Sequence, residues 1–149
     1  MARGRHRGHR SVTPHSPCHP LVTAPARTGV LIYAANLTTL SAFYAQLLNA
    51  TVLHADAEHH VLQSPDVQLI VHAIPREFAE GIVITSPPAP RVEQAIKPFF
   101  TVSDLAAAEA LVVRLGGLVY GPMWPAPGLR VRNVCDPEGN IVHLRELLA

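Results

Sequence analysis

Hydrophobic and polar positions along the chain follow the same order twice. A first apolar run, 30–36, precedes apolar side chains at helical spacing over 37–48, and a second run, 99–104, precedes the same spacing over 105–115. Each run ends in an asparagine or an aspartate, whose side-chain oxygen accepts hydrogen bonds from the free N–H groups of a first helical turn. The pattern therefore predicts two strand–helix units.

Three short β-prone segments, separated by turn residues, follow each predicted helix. They span residues 51–54, 59–63, 67–73, 118–120, 129–134 and 140–144. Each half thus predicts the order β-α-β-β-β, and the Pro- and Ala-rich stretch 85–90 joins the halves. We expect a single α+β domain of two tandem βαβββ modules, about 28–84 and 95–147, that form a cupped, mostly antiparallel sheet.

Residues 1–27 differ in composition from the rest of the chain. They hold five arginines and no acidic residue, and they lack an apolar run long enough for a secretory signal. Because this segment cannot bury enough apolar surface to offset its ordering entropy, we expect a disordered basic leader. A transit peptide and a tail that touches nucleic acid are the alternatives.

The remaining 28–149 have a composition that argues against two classes of partner. Their net charge is −4, which disfavours contact with phosphate backbones. Their apolar runs are all shorter than the ~18 residues of a membrane span. The two cysteines, Cys18 and Cys135, form no CxxC pair. We therefore predict a reduced, cytoplasmic protein whose folded domain binds neither nucleic acid nor membrane.

The chain resembles the vicinal oxygen chelate superfamily, the glyoxalase, bleomycin resistance protein and dioxygenase group. The resemblance rests on the strand–helix phrases IYAANLTTLSAFYAQLLNA and FFTVSDLAAAEALVVRLGG and on the closing DPEGNIVHLRE. It covers about residues 29–147 and implies the glyoxalase/bleomycin resistance fold, with a concave apolar cavity. The superfamily hosts isomerases, dioxygenases, thiol transferases and metal-free binding proteins, so the fold alone does not choose among them.

Metal-dependent members of the superfamily hold a divalent ion with ligands from four equivalent places, two in each half. The resemblance carries these places to Gly29, His72, Lys97 and His143. Glycine offers no donor atom, the Lys97 ammonium repels a cation, and His143 stands where such relatives have glutamate. Since His72 and His143 alone make a weak and incomplete ligand set, we expect no obligatory metal. The alternative cofactor is a divalent ion such as zinc, nickel, iron or manganese.

Candidate ligand-binding residues come mainly from the second half. Trp124, in a predicted Pro-rich loop, either caps the core or stacks on a flat ligand at the rim of the pocket. Arg130 and Arg132 share one face of their strand, and on the concave face they would clamp an anion. His72 and His143 are expected in the pocket wall, as hydrogen-bond partners or as a general base.

Other polar groups receive structural interpretations. His54, His59 and His60 flank a predicted hairpin turn and are expected in solvent, where a histidine pair would retain immobilised nickel without any biological meaning. Asp136 and Glu138 lie in an Asp-Pro-x-Gly turn, where the aspartate caps the backbone rather than serving acid–base chemistry. Motifs for nucleophilic catalysis are absent from the sequence.

These features together predict a homodimeric glyoxalase/bleomycin resistance-like protein that binds a small organic molecule, such as an antibiotic-like or hydrophobic compound, without an obligatory metal. One alternative is a metal-dependent lyase, isomerase or dioxygenase that uses His72 and His143. Another is a structural or regulatory dimer with no ligand. The sequence leaves open whether any turnover occurs.

Overall fold

The computed structural model describes residues 26–148, and within this range it contains eight strands and three helices. In chain order they are β1 (Gly29–Ala34), α1 (Leu37–Leu47), β2 (Thr51–Ala55), β3 (His59–Gln63), β4 (Gln68–Ala73), α2 (Arg76–Ala79), β5 (Phe99–Thr101), α3 (Leu105–Arg114), β6 (Leu118–Ala126), β7 (Leu129–Cys135) and β8 (Ile141–Leu147). The short helix α2 was not predicted. The predicted leader falls on residues that lie almost entirely outside the described range.

The strands form two sheets of four, with the orders β1-β4-β3-β2 and β5-β8-β7-β6. In each sheet the first strand of the module runs parallel to the last, and the other neighbours are antiparallel. The predicted repeat of two βαβββ modules is confirmed. The eight strands are divided equally between two sheets rather than joined in one continuous sheet.

Both long helices begin where the cap residues predict. The Asn36 side chain accepts a hydrogen bond of 3.0 Å from Thr39 N, and the Asp104 side chain accepts one of 2.9 Å from Ala107 N. Each helix packs on one face of its sheet, and the buried residues of both modules form one hydrophobic cluster. The Tyr44 and Phe100 rings, one from each module, lie 6.1 Å apart in this cluster.

The turn before β8 ties the modules together. Asp136 is completely buried, and its carboxylate accepts a 2.8 Å hydrogen bond from the Tyr44 hydroxyl of α1. The Glu138 carboxylate accepts hydrogen bonds of 2.9 and 2.7 Å from Ala35 N and Asn36 N, just before α1. The predicted capping role of Asp136 is confirmed, since Glu138 N also donates to it. The hydrogen bond that Asp136 accepts from Tyr44 of the other module depends on the tertiary structure and is not part of the turn prediction.

One predicted loop is a strand. The expected loop between Tyr120 and Leu129 is mostly part of β6, so Trp124 is a strand residue that pairs with Val131. The register shifts between Tyr120 and Trp124, which accommodates the irregular sequence there. The prolines of this stretch are tolerated because β6 is an edge strand, where a missing N–H leaves no ladder bond unmade.

None of the helices in the described range is long and apolar enough to cross a bilayer.

Candidate functional site

Each sheet has a face that is not covered by a helix, and we call these the first and second open faces. Strand side chains alternate, so residues paired across strands share a face. Tyr33 pairs with His72 on the first open face, and Phe99 pairs with His143 on the second. The two predicted pocket histidines therefore lie on the open faces of different sheets.

A row of rings crosses the first open face. The Tyr33 and His72 ring centroids are 5.5 Å apart, those of His72 and His59 are 6.0 Å apart and nearly parallel, and those of His59 and His54 are 4.7 Å apart. His72 Nδ1 lies 2.8 Å from the carbonyl oxygen of Ala73. A carbonyl only accepts, so Nδ1 carries the proton of this bond, and Nε2 of the neutral ring is an acceptor.

Aromatic side chains also meet on the second open face. The Trp124 indole meets the His143 ring edge to face, with centroids 5.6 Å apart. The Phe99 ring, 55% exposed as a whole residue, carries the Arg145 guanidinium 3.9 Å from its centroid. Arg145 is held in place because its Nε donates a 2.9 Å hydrogen bond to Thr101 Oγ1. These side chains form a partly exposed aromatic surface, and the Arg145 cation lies over one of its rings.

Two polar side chains on this face, His143 and Asn133, carry hydrogen-bond acceptor atoms. Burial, and secondarily the nearby Lys97 charge, lowers the pKa of His143 below its ordinary value, so the ring is neutral at pH 7. Asn133 pairs with both His143 and Tyr120, and its Oδ1 is buried without a hydrogen-bond partner in the described part of the chain. A ligand that donates a hydrogen bond would meet the half-buried His143 ring, whereas the Asn133 oxygen is buried within the protein.

The predicted anion clamp is not formed. Arg130 and Arg132 do share a face, but it is the helix side of the second sheet. Arg130 Nη2 lies 2.6 Å from Glu146 Oε2, and Arg132 Nε lies 3.3 Å from Oε1 of Glu109, a residue of α3. Both cations are neutralised there, so Arg145 is the arginine that the second open face offers to a ligand.

The residues do not fit the metal site of the superfamily's metal-dependent members. Gly29 has no side-chain donor and pairs with Gln68, four residues before His72, whose own partner is Tyr33. On the other sheet, the Lys97 charge opposes any cation held near His143. Among residues 26–148, no cluster of three or more potential ligands includes either His72 or His143.

A groove of about 910 Å³ runs between the two modules. It lies between the end of α1, the start of β1, β5 and the first turns of α3, and its floor is mainly apolar. Phe99 and Arg145 line it too, so the groove reaches the edge of the second open face. Neither His72 nor His143 lines it. The groove therefore extends the surface beside Phe99 rather than joining the two histidines.

Comparison with known proteins identifies the fold of this chain. No family model and no curated protein matches the sequence. Among solved structures, a glyoxalase/bleomycin resistance protein/dioxygenase family enzyme from Burkholderia phytofirmans PsJN superposes with a TM-score of 0.62 at 16% identity, covering 83% of this chain and 99% of that one. The chain has the glyoxalase/bleomycin resistance fold. The resemblance of the sequence to this group is thus confirmed at the level of the fold.

Two further structures have the glyoxalase/bleomycin resistance fold. A glyoxalase/bleomycin resistance protein from Albidiferax ferrireducens T118 has a TM-score of 0.58 at 17% identity, covering 80% of this chain and 96% of that one. A bleomycin-binding protein complexed with bleomycin has a TM-score of 0.54 at 19% identity, covering 83% and 98%. Likeness at these identities is a likeness of fold, and function must be argued from the site.

Sequence reasoning missed several residues of the open faces. Phe99 and Arg145 received no role, although Arg145 follows His143 by two positions in one strand and so shares its face. Asn133 was missed because nothing in a sequence shows that a polar strand residue lacks a partner. Because side chains alternate along a strand, the predicted place of His143 in the pocket wall already implied that Arg145 lies on the same face.

Proposed function

We propose that the protein binds a small organic molecule with a flat, apolar part on the second open face, without an obligatory metal. The observation that carries this proposal is the exposed Phe99 ring beside the Trp124 and His143 pair. Exposed aromatic surface of this kind is unfavourable in water, and a flat ligand stacked on it removes it from water.

The polar groups around the rings suggest further features of the ligand. The Arg145 guanidinium beside Phe99 favours a ligand with negative charge or a carbonyl group at that end. The neutral His143 ring favours a hydrogen-bond donor near Trp124. The bleomycin complex of a protein with the same fold supports a role in small-molecule binding.

We propose that the protein acts as a homodimer. Leu31 and Tyr33 of the first open face are each about half exposed, at 49 and 58%, and a second copy of the chain would cover part of this apolar surface. Light scattering of the purified protein at micromolar concentration is expected to give twice 16.1 kDa. A mass of one chain would contradict the proposal.

A reducing, cytoplasmic location is also proposed. Cys135 is buried and forms no disulfide within residues 26–148. Burial raises the pKa of its thiol to about 11, so the unreactive thiol form predominates at neutral pH.

Binding is tested with 8-anilinonaphthalene-1-sulfonate, a flat aromatic anion that fluoresces in apolar surroundings. Trp124 is the only tryptophan of the chain, so quenching of its fluorescence measures dye binding, and the variants below locate the site. We expect a saturable site whose affinity falls roughly tenfold in Phe99→Ala and in Arg145→Met, because each removes part of the stacking surface or its charge.

Val113→Ala is the matched control. Val113 is an exposed apolar residue of α3 and takes no part in the open faces, so its truncation is expected to leave dye binding unchanged. Equal affinity in wild type and Phe99→Ala, or equal weakening by Val113→Ala, would show that the dye binds apolar surface without using the proposed site.

A further inference from the structure

Three side chains with metal-binding atoms meet at the β2–β3 hairpin. His54 Nε2 lies 2.7 Å from Asp56 Oδ2, and His59 Nδ1 lies 3.4 Å from Asp56 Oδ1. One potential ligand atom from each residue lies within 4.8 Å of the other two. Metal bonds of about 2.0–2.2 Å bring ligand atoms to within about 4.4 Å of one another. Small side-chain rotations therefore allow one ion to contact all three residues.

The hairpin fixes the central carboxylate. Asp56 Oδ1 accepts hydrogen bonds of 2.8 Å from Glu58 N and from His59 N. These bonds orient the carboxylate as outer hydrogen bonds orient a metal ligand, and they leave Oδ2 directed to His54. The turn thus fixes the carboxylate, and the His54 and His59 rings rotate to admit an ion beside it.

Asp56 supplies the charge that a cation needs. Its carboxylate lies between the two imidazoles, 2.7 Å from His54 Nε2 and 3.4 Å from His59 Nδ1, and supplies a negative charge that balances a bound cation. The pair His72 and His143 lacks such a carboxylate, which is why the hairpin, and not that pair, has the chemistry of a metal site.

We propose that His54, Asp56 and His59 bind a divalent transition metal ion, such as zinc, nickel or cobalt, at the β2–β3 hairpin. Two imidazole nitrogens and one carboxylate oxygen suit these ions and leave at least one position for water. His59 is the cross-strand partner of His72, but His72 contributes no ligand atom to this cluster. The proposal is independent of ligand binding on the second open face, which belongs to the other sheet.

The test is calorimetric titration of the full-length, untagged, metal-free protein with zinc, and optical titration with cobalt. His54→Gln, Asp56→Asn and His59→Gln are each expected to lower the affinity of one equivalent of metal by roughly tenfold or more. His60→Gln is the matched control, since His60 is the next residue of β3, pairs with Val71 and lies outside the cluster. Its affinity for metal is expected to equal that of the wild type.

A thermal measurement checks the same proposal independently. Excess zinc is expected to raise the Tm of the wild type and of His60→Gln, but not that of His59→Gln, because only a folded-state site stabilises by mass action. The histidines of the leader are present in every variant, so they cannot produce a difference among variants. The proposal is overturned if the wild type binds no metal or if His54→Gln and His59→Gln bind it unchanged. It is also overturned if binding is lost in His72→Ala or His143→Ala instead.

Discussion

Replacing Gly139 by alanine is expected to destabilise the folded protein by about 3 kcal/mol and to lower its Tm by roughly 12 °C. Gly139 has a φ of 85°, which costs an L-residue about 1 kcal/mol. In addition, a Cβ there would overlap the carbonyl oxygen of Ala89. The backbone near Ala89 is held against the turn, since Arg91 N donates a 2.9 Å hydrogen bond to Gly139 O, so it cannot retreat freely.

Gly116→Ala separates the two causes. Gly116 has the same φ of 85°, but a Cβ at that position would meet nothing within 4 Å. Its substitution is expected to cost only the conformational part, about 1 kcal/mol, in urea or thermal unfolding. Equal losses of stability in the two variants would mean that packing of the turn before β8 against the segment around Ala89 contributes nothing.

Tyr44→Phe is expected to reduce the free energy of unfolding by about 2 kcal/mol at neutral pH. The substitution removes the 2.8 Å hydrogen bond between modules and leaves the completely buried Asp136 carboxylate with one donor fewer. Tyr33→Phe is the control, because the Tyr33 hydroxyl is on an exposed side chain of the first open face and makes no hydrogen bond within the described range. Its effect on unfolding is expected within about 0.5 kcal/mol.

The pH dependence of this deficit has a definite sign. Burial raises the pKa of Asp136 above its unfolded value, while the Tyr44 hydroxyl opposes that rise by stabilising the ionised form. Without the hydroxyl the folded-state pKa rises further, so the variant loses stability, relative to wild type, as the pH increases through that range. The deficit is expected to be larger at pH 7 than at pH 4. A deficit that grows toward acid would refute the assignment.

Most of the secondary structure was predictable because its signals are local. Asn36 and Asp104 mark helix starts through hydrogen bonds to residues three positions away, and the predicted strand 59–63 has the bounds of β3. The end of β6 was not predictable in this way. Pro and Gly in 121–128 are typical of a loop, yet pairing with β7 and the edge position of β6 make most of this segment a strand.

The candidate site was predictable only in part. The sequence selected Trp124 and His143, and the structure brings their rings together on the second open face. It also selected Arg130 and Arg132 and established that they share a face, because alternation is a local property of a strand. Which face they share depends on where the helix packs, and the structure pairs them with Glu146 and Glu109 on the helix side.

The sequence by itself determined the repeat, the helix caps and the turn at Asp136, since each depends on hydrogen bonds and side-chain alternation among residues a few positions apart. The tertiary structure decided which strand face stays open, which arginine lies on that face, and that Asp136 accepts a hydrogen bond from Tyr44 of the other module. These outcomes depend on the packing of helices on sheets and on strand register, which bring together residues distant in the chain and so leave no local pattern.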